Sequence, residues 1–286
     1  MADSYILSFN CEDTAGIVSA VTTALAEHDG FILDSQQYAD LDTGRFFMRL
    51  QFQAAGPRLP ADVADIERLI APIAARFRFD WTLVPASRRL RFLIAVSKQL
   101  HCLHDLVHRW STASLPIDIA GIVANHGDAE ALARQHGLPF FLLPQGKDDK
   151  AARDAMLARL MRETASDHLV LARYMQVLGA ELVASLPNRI INIHHSFLPG
   201  FVGARPYHRA HQRGVKLIGA TAHFVTEELD AGPIIEQAVE RVDHRASVAD
   251  LIRIGGDIEA RVLSRAVRWV AQHRVFPNNG RTVVFG

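Results

Sequence analysis

Five apolar segments alternate with four predicted helices between residues 90 and 193, and this alternation restricts the fold more than any other feature of the chain. The predicted strands cover 91–97, 117–125, 139–143, 168–172 and 189–193. The predicted helices lie near 101–110, 129–135, 148–165 and 175–185. Such alternation favours a parallel sheet with helices on both faces. The sequence therefore predicts an α/β fold for this part of the chain.

The segments that follow show a different pattern. Residues 216–225 and 233–242 are predicted to form an antiparallel pair, and 247–273 to form a long helix. Ser247 is a suitable N-cap for this helix, because Asp250 follows three residues later as a variant of the capping box. A last apolar segment, 281–285, is predicted to return as a terminal edge strand.

Residues 1–84 have another order of elements. The predicted order is strand, helix, strand, strand, helix and strand, at 5–9, 13–28, 31–38, 45–52, 62–76 and 77–84. This βαββαβ order is the ferredoxin-like motif. We therefore predict two domains, 1–84 and 90–286, joined by a short proline-containing linker at 85–89.

Composition excludes several classes of partner. Lys plus Arg number 31 and Asp plus Glu also number 31, so the formal net charge is zero and no general attraction to nucleic acid or membranes is expected. The two cysteines, Cys11 and Cys102, cannot form a disulfide framework and indicate a reducing compartment. No apolar run approaches the ~20 residues of a membrane span, and no leader sequence is evident. The composition predicts a cytoplasmic protein.

Reactive side chains follow the apolar strand at 189–193. Asn192 and His194 are two residues apart, so on an extended strand they point to the same side. Ligands of open parallel sheets bind beyond the carboxyl ends of the strands. An amide donor, an imidazole and a carboxylate such as Asp230 together suit chemistry on a carbonyl group. Taken alone, a histidine near a strand end is more often structural, and an Asp-x-Gly-Pro segment such as 230–233 is more often a turn.

The same residues carry a more specific resemblance. Asn-Ile-His at 192–194, Ser-Phe-Leu-Pro at 196–199 and Leu-Asp-Ala-Gly-Pro-Ile-Ile at 229–235 resemble the signature of the folate-dependent formyl-transfer superfamily. Within it, the formyltetrahydrofolate deformylases, which carry an N-terminal ACT domain, are the most similar. They also resemble this chain at 97–106, 171–176 and 219–224. The resemblance implies an ACT domain followed by a Rossmann-like formyltransferase domain.

The resemblance also implies an activity. Asn192, His194 and Asp230 fall on the catalytic positions of the superfamily, which act on the formyl carbon of 10-formyltetrahydrofolate. In the deformylases water is the nucleophile, the products are tetrahydrofolate and formate, and no cofactor is needed beyond the folate substrate. The expected role is to balance one-carbon pools and to supply formate for purine synthesis.

Two alternatives remain at this point. The first is a formyltransferase acting on an amine. The glycinamide ribonucleotide formyltransferases hold the acceptor's phosphate with a glycine-rich loop after the first strand, whereas residues 95–101 contain no glycine, so a phosphorylated acceptor is disfavoured. The second is a regulatory protein with a vestigial catalytic domain, and the complete set of three catalytic residues argues against it.

Ligand contacts are predicted from the resemblance. Met175, Gln176, Leu178 and His223 are expected to contact the folate, together with the loops 200–205 and 223–229. Simple helix packing is an equally simple interpretation of Met175 and Leu178. In the ACT domain, Asp13 and Gly16 are expected to bind a small amino-acid effector, although a tight turn alone also favours glycine at position 16. A homo-oligomer, dimer or tetramer, is expected.

Histidines outside the catalytic set form two groups. His101, His104 and His108 are spaced to share one face of a helix, but no fourth ligand follows at a spacing usual for zinc, so no metal is predicted. The second group, near His194, consists of His195, His208 and His211. His195 stands where the transferases often have proline. Either a supporting role beside His194 or a purely structural role fits that position.

Overall fold

The computed structural model describes residues 3–144, 149–200 and 206–286. These residues form two compact units, one of Met1–Arg89 with Gln272–Gly286 and one of Leu90–Ala271. Among the helices of the described residues, none combines the length and the apolar character that crossing a membrane requires.

The first unit contains an antiparallel sheet of four strands and two helices. Its elements are β1 (Ser4–Glu12), α1 (Ile17–Glu27), β2 (Gly30–Asp40), β3 (Arg45–Ala54), α2 (Val63–Phe77) and β4 (Asp80–Pro85). The strand order is β2-β3-β1-β4, with β1 paired to both β3 and β4. This order confirms the predicted ferredoxin-like arrangement.

Alternation of side chains explains why this sheet forms. Leu7 and Phe9 of β1 lie opposite Leu50 and Met48 of β3, and all four are buried. They form one core with Ile17 of α1 and other apolar residues of the two helices. Because side chains alternate along a strand, the neighbours of these residues point to the opposite face of the sheet.

The second unit is built on a sheet of seven strands. Its elements are β5 (Leu90–Val96), α3 (His101–Ser111), β6 (Ile117–Ala124), α4 (Glu130–Gln135), β7 (Phe140–Leu142), α5 (Lys150–Glu163), β8 (His168–Leu171), α6 (Ala180–Ser185), β9 (Ile190–His194), α7 (Pro206–Arg213), β10 (Leu217–Phe224), β11 (Ile234–Arg241) and α8 (Val248–Ala271). The order is β11-β10-β9-β8-β5-β6-β7. Strands β5 to β9 pair in parallel, while β10 and β11 are antiparallel, as the sequence predicted.

The topology of this sheet determines where a ligand can bind. From β5 the chain runs outward to β6 and β7, and it then returns to β8 on the other side of β5. A crevice opens at such a switch point, beyond the carboxyl ends of the two strands. The predicted capping box of α8 is present, since Asp250 N–H donates to Ser247 Oγ and Ser247 N–H donates to the Asp250 carboxylate.

The predicted helix 175–185 is shorter in the structure. Only Ala180–Ser185 is helical, and the residues before it form an extended loop. Arg173 has a left-handed backbone with φ of 64°, and the Met175 N–H donates to Ser97 Oγ at 3.0 Å. These features hold the loop beside the end of β5, and the helix begins only at Ala180. Of the predicted loop 200–205, the residues 201–205 lie outside the described part of the chain.

The C-terminal residues lie with the first unit, which differs from the predicted 90–286 domain. Strands β12 (Val275–Asn278) and β13 (Arg281–Val284) form a hairpin that covers the face of the first sheet turned away from its helices. Phe276 and Phe285 pack with Phe47 of β3. The predicted edge strand at 281–285 therefore pairs only with its hairpin partner among the described residues. The residues 85–89, predicted as a linker, begin with the last residue of β4.

We expect Phe276→Ala to lower the free energy of unfolding of the chain by about 3 kcal/mol, the usual cost of removing a buried aromatic side chain. Its ring is buried, and the ring centroid lies 5.9 Å from that of Phe47 and 5.4 Å from that of Phe285. Urea unfolding of the purified protein measures the change. The control is Arg281→Ala, which removes an exposed side chain with long ion pairs and should cost less than about 1 kcal/mol. Equal stability of the two variants would contradict this role of the hairpin.

Candidate active site

The carboxyl end of β9 brings together the three residues predicted to be catalytic. His194 ends β9, and its Nδ1 lies 3.1 Å from Oδ2 of Asp230. Asp230 lies in the loop between β10 and β11 and has a left-handed backbone with φ of 57°. Asn192 is two residues before His194 on the same strand. The side chains of all three line one cleft.

His223 supports this set from the neighbouring strand β10, where it lies opposite Asn192. Its Nδ1 lies 2.8 Å from the carbonyl oxygen of Phe224. Because a carbonyl oxygen only accepts, the proton of a neutral His223 is on Nδ1, and its Nε2 accepts from the Asn192 amide at 3.3 Å. This bond fixes the Asn192 NH₂ group and leaves its second N–H available. His223 was predicted to contact folate; it lines the cleft and is 1% exposed, and the contact stays a prediction.

The charge of Asp230 is stabilised by its neighbours. The hydrogen bond from His194 is the largest of the causes that hold the pKa of Asp230 well below its usual value, despite the burial that opposes them. Asp230 is therefore a carboxylate at neutral pH and accepts from Nδ1–H of His194. Neutral His194 then has its lone pair on Nε2, which is buried and has no hydrogen-bond partner among the described residues.

The cleft beside His194 is large enough for a folate-sized ligand. It has a volume of about 810 Å³, within the usual range for small-molecule sites. The predicted contact residues Met175, Gln176 and Leu178 line it. Met175 is 56% exposed, which favours ligand contact, whereas Leu178 is buried in the core of the unit, which favours packing.

A second polar cluster, which was not predicted from the sequence, lines the same cleft. Glu259 of α8 is buried, and it accepts hydrogen bonds from the Tyr207 hydroxyl at 2.6 Å and from His101 Nε2 at 2.8 Å. Arg173 Nε lies 3.3 Å from the same carboxylate and also donates to Gln99 Oε1 at 2.9 Å. Burial would raise the pKa of Glu259, but these donors and the Arg173 charge lower it overall.

His195 links the two clusters. Its ring is stacked on that of His194, with centroids 5.0 Å apart and an interplanar angle of 22°, and it lies 6.4 Å from the ring of Tyr207. Burial, followed by the charges of Arg173 and His194, lowers the pKa of His195 to about 4. His195 is therefore neutral near pH 7.

The predicted histidine face of α3 is divided in the structure. His101 binds Glu259, whereas His104 and His108 are exposed. The possible ligand atoms of His101, Cys102 and Glu259 lie within 4.8 Å of one another. However, Arg173 places a positive charge beside the same carboxylate, which disfavours a cation there. The absence of a metal stays a prediction.

In the first unit, Asp13 and Gly16 lie together at the start of α1. They line a depression of about 580 Å³ with Thr14, Thr22 and Phe46. Gly16 has φ of 95°, and a Cβ there would meet no described atom within 4 Å. The glycine is therefore explained by its backbone conformation and not by close packing. Effector binding by these residues stays a prediction.

Comparison with known proteins supports the resemblance seen in the sequence. Residues 90–267 match the family model described as formyl transferase. The formyltetrahydrofolate deformylase of Bacillus subtilis (strain 168) is 47% identical over 280 residues, which is 98% of this chain and 93% of that protein. The crystal structure of a formyltetrahydrofolate deformylase from Pseudomonas syringae pv. tomato is 43% identical with a TM-score of 0.96, covering 100% of this chain and 95% of that one. The corresponding structure from Burkholderia mallei is 48% identical with a TM-score of 0.94, covering 99% and 100%.

The second unit, with its parallel sheet and its Asn–His–Asp set at the carboxyl edge, is thus a formyl transferase catalytic unit. Relatives that share only that unit would leave the first unit unmatched, whereas the similarity here extends over nearly the whole chain. The chain belongs to the formyltetrahydrofolate deformylase family.

Proposed function

We propose that this chain hydrolyses 10-formyltetrahydrofolate to tetrahydrofolate and formate. The observation that carries the proposal is the arrangement of His194, which lines the cleft with a carboxylate at Nδ1 and with an Nε2 that has no hydrogen-bond partner among the described residues. The same arrangement lets an imidazole serve first as base and then as acid in other hydrolytic sites. The full-length similarity to deformylases supports the choice of substrate.

In the first step, water attacks the formyl carbon. His194 Nε2 takes one proton from the water as the new C–O bond forms, and Asp230 stabilises the resulting imidazolium. Asp230 itself is a weak base, because its pKa is held low by its own hydrogen bonds. The carbonyl oxygen becomes an oxyanion, and the free N–H of Asn192 and the protonated His194 are the donors available to it.

In the second step, the C–N10 bond breaks. An amide nitrogen does not leave as an anion, so His194 returns its proton to N10 as the bond breaks. Tetrahydrofolate leaves neutral at N10, and formic acid releases its remaining proton to solvent as formate. The base of the first step is thereby restored for the next turnover.

The alternative acceptor, a phosphorylated amine, is not favoured by the loop after β5. Residues 97–100 connect β5 to α3 and contain no glycine. Instead, Gln99 in this loop is engaged by Arg173. Backbone N–H groups approach a phosphate closely where glycines permit it. Water is the nucleophile that this site accommodates best.

The test is an incubation of the purified chain with 10-formyltetrahydrofolate and no amine. Equimolar tetrahydrofolate, followed by absorbance, and formate, followed by a coupled assay, are the expected products. Adding glycinamide ribonucleotide should leave the formate yield unchanged. Formylation of the amine at the expense of formate would instead identify a transferase.

We expect Asn192→Ala to lower kcat by about 10²–10³-fold, the usual effect of removing one oxyanion donor. KM should change much less, because the donor acts mainly on charge that develops in the transition state. Steady-state kinetics of the variant measures both constants. Asn279→Ala, at the exposed turn of the C-terminal hairpin, is the matched control and should leave both unchanged. A larger effect on KM than on kcat would place Asn192 in ground-state binding instead.

The finer aspects of the function rest on the family resemblance. Met175, Gln176 and Leu178 contact the folate, and Asp13 and Gly16 bind a small amino-acid effector. The chain acts in the cytoplasm as a homo-oligomer, balances one-carbon pools and supplies formate for purine synthesis. The depression at the start of α1 supports the effector site. Isothermal titration of the full chain with single amino acids tests it directly.

A further inference from the structure

A buried polar network lies beside the catalytic histidine, and the proposed mechanism gives it no role. Its centre is Glu259, which is 1% exposed and accepts hydrogen bonds from Tyr207 and His101. Arg173 lies at 3.3 Å from the same carboxylate. Burying a carboxylate is costly even when it is paired, and apolar packing serves stability at least as well. The network therefore calls for an explanation other than packing.

The sequence of α8 makes room for this network. Gly255 precedes Glu259 by four residues, and a Cβ at that position would overlap the hydroxyl and ring of Tyr207. Gly256 faces the ring of His101, with a Cβ position 3.7 Å from its Cδ2. Glycine is disfavoured inside a helix. The close approach of Tyr207 explains Gly255 in a helix of 24 residues.

The network reaches the catalytic residue through His195. Tyr207 lies against the ring of His195, and His195 is stacked on His194. Asp230 holds the Nδ1 edge of His194. The catalytic ring is thus held at one edge by a carboxylate and on one face by a neutral ring. Both contacts restrict the orientation of the His194 ring.

We propose that Glu259 is a positioning residue for deformylation: it anchors Tyr207, whose ring lies beside that of His195, and His195 is in turn stacked on His194. This inference rests on the proposed function, in which His194 carries the proton. Without the anchor, His194 would sample orientations that misplace Nε2. Small misplacements of a reacting group reduce the chemical step more than they reduce substrate binding. The loss should therefore appear in kcat with little change in KM.

Loss of the Glu259 charge should leave His195 neutral. The titratable or charged groups that face Glu259 are His101 and Cys102 from α3, Arg173 from the segment after β8 and Tyr207 from α7. Those that act on His195 are Arg173, His194, Glu259 and Asp230. Glu259 raises the pKa of His195, so removing its charge lowers that pKa further. A fall in kcat near neutral pH therefore reports lost positioning and not a change in the charge of His195.

The first test is Tyr207→Phe, which removes only the hydroxyl that Glu259 anchors. We expect kcat to fall about 5–10-fold, KM to stay within about 2-fold and the pH profile to keep its shape. Gly255→Ala should lower kcat to a similar degree, because its Cβ displaces Tyr207. The matched control is Tyr5→Phe, which removes a hydroxyl hydrogen bond of 2.7 Å in the other unit and should leave kcat unchanged.

The second test is Glu259→Gln, with an expected fall of about 10–100-fold in kcat per folded site and a KM within about 2-fold of wild type. The folded fraction is measured by a thermal melt, and a residue that only stabilised the fold would leave kcat per folded site unchanged. If Glu259→Gln does not fold, Tyr207→Phe and Gly255→Ala decide the question. Wild-type kcat in both of these variants would overturn the proposal while leaving the deformylase activity intact. Absence of formate release by the wild-type chain would instead overturn the proposed function.

Discussion

His194→Ala is expected to lower kcat about 10⁴-fold, because one side chain supplies the base, the acid and one oxyanion donor. The ring has its Nδ1 held by Asp230, and its Nε2 has no hydrogen-bond partner among the described residues, so it is available to carry the proton. Single-turnover measurement of formate release with saturating 10-formyltetrahydrofolate gives the rate of the chemical step. Binding of the substrate should be retained, since His194 contributes mainly to the transition state.

Two controls separate chemistry from folding in this experiment. His104→Ala removes an exposed histidine of α3 and should leave the rate unchanged. His194→Gln keeps a side chain of similar length but cannot carry a proton at neutral pH, so it should be as slow as His194→Ala. A rate within about 10-fold of wild type for either His194 variant would contradict the proton-carrier role.

Asp230→Asn is expected to lower kcat by about 10³–10⁴-fold, the effect seen when the orienting carboxylate of such a set is replaced by an amide. An amide N–H facing His194 would favour the tautomer with its proton on Nε2, which removes the base. Asparagine tolerates the left-handed backbone of this position, so the loop should keep its conformation. Steady-state kinetics and a thermal melt of the variant measure both effects.

The matched control for Asp230 is Asp243→Asn, at an exposed aspartate whose carboxylate pairs with Arg245. It should leave kcat unchanged. Full activity of Asp230→Asn would show that the tautomer of His194 does not limit the reaction, and the mechanism would then have to be abandoned. Substrate binding should survive in Asp230→Asn, and its measurement separates lost chemistry from lost folding.

The fold was predictable where local pattern and burial agree. Strands such as β5 and β6 are buried on both faces, so they appear as continuous apolar runs between helices. The C-terminal hairpin was not predictable in this way. Phe276 joins a cluster with Phe47, a contact between residues far apart in sequence that no local pattern reports. The predicted helix 175–185 was longer than α6, because the hydrogen bond from Met175 N–H to Ser97 Oγ overrides local helix propensity.

The catalytic residues of the candidate site were predictable from the sequence, whereas the polar network around Glu259 was not. Asn192 and His194 share one strand, so their spacing alone places them together, and Asp230 was added by its motif. Glu259 is 158 residues from His101 in sequence, and only the fold brings them together. One signal was present in the sequence. Glu259 interrupts the apolar stripe of α8, formed by residues such as Ile258 and Val262. A carboxylate in such a stripe indicates a buried partner.

The measurement that tests the central claim most directly is deformylation in ¹⁸O-labelled water. We expect formate that carries one ¹⁸O atom, in an amount equal to that of tetrahydrofolate and independent of any added amine. This result would identify water as the nucleophile at the formyl carbon. Formate without the label, or a formyl group recovered on an amine with no formate released, would contradict hydrolysis in this site.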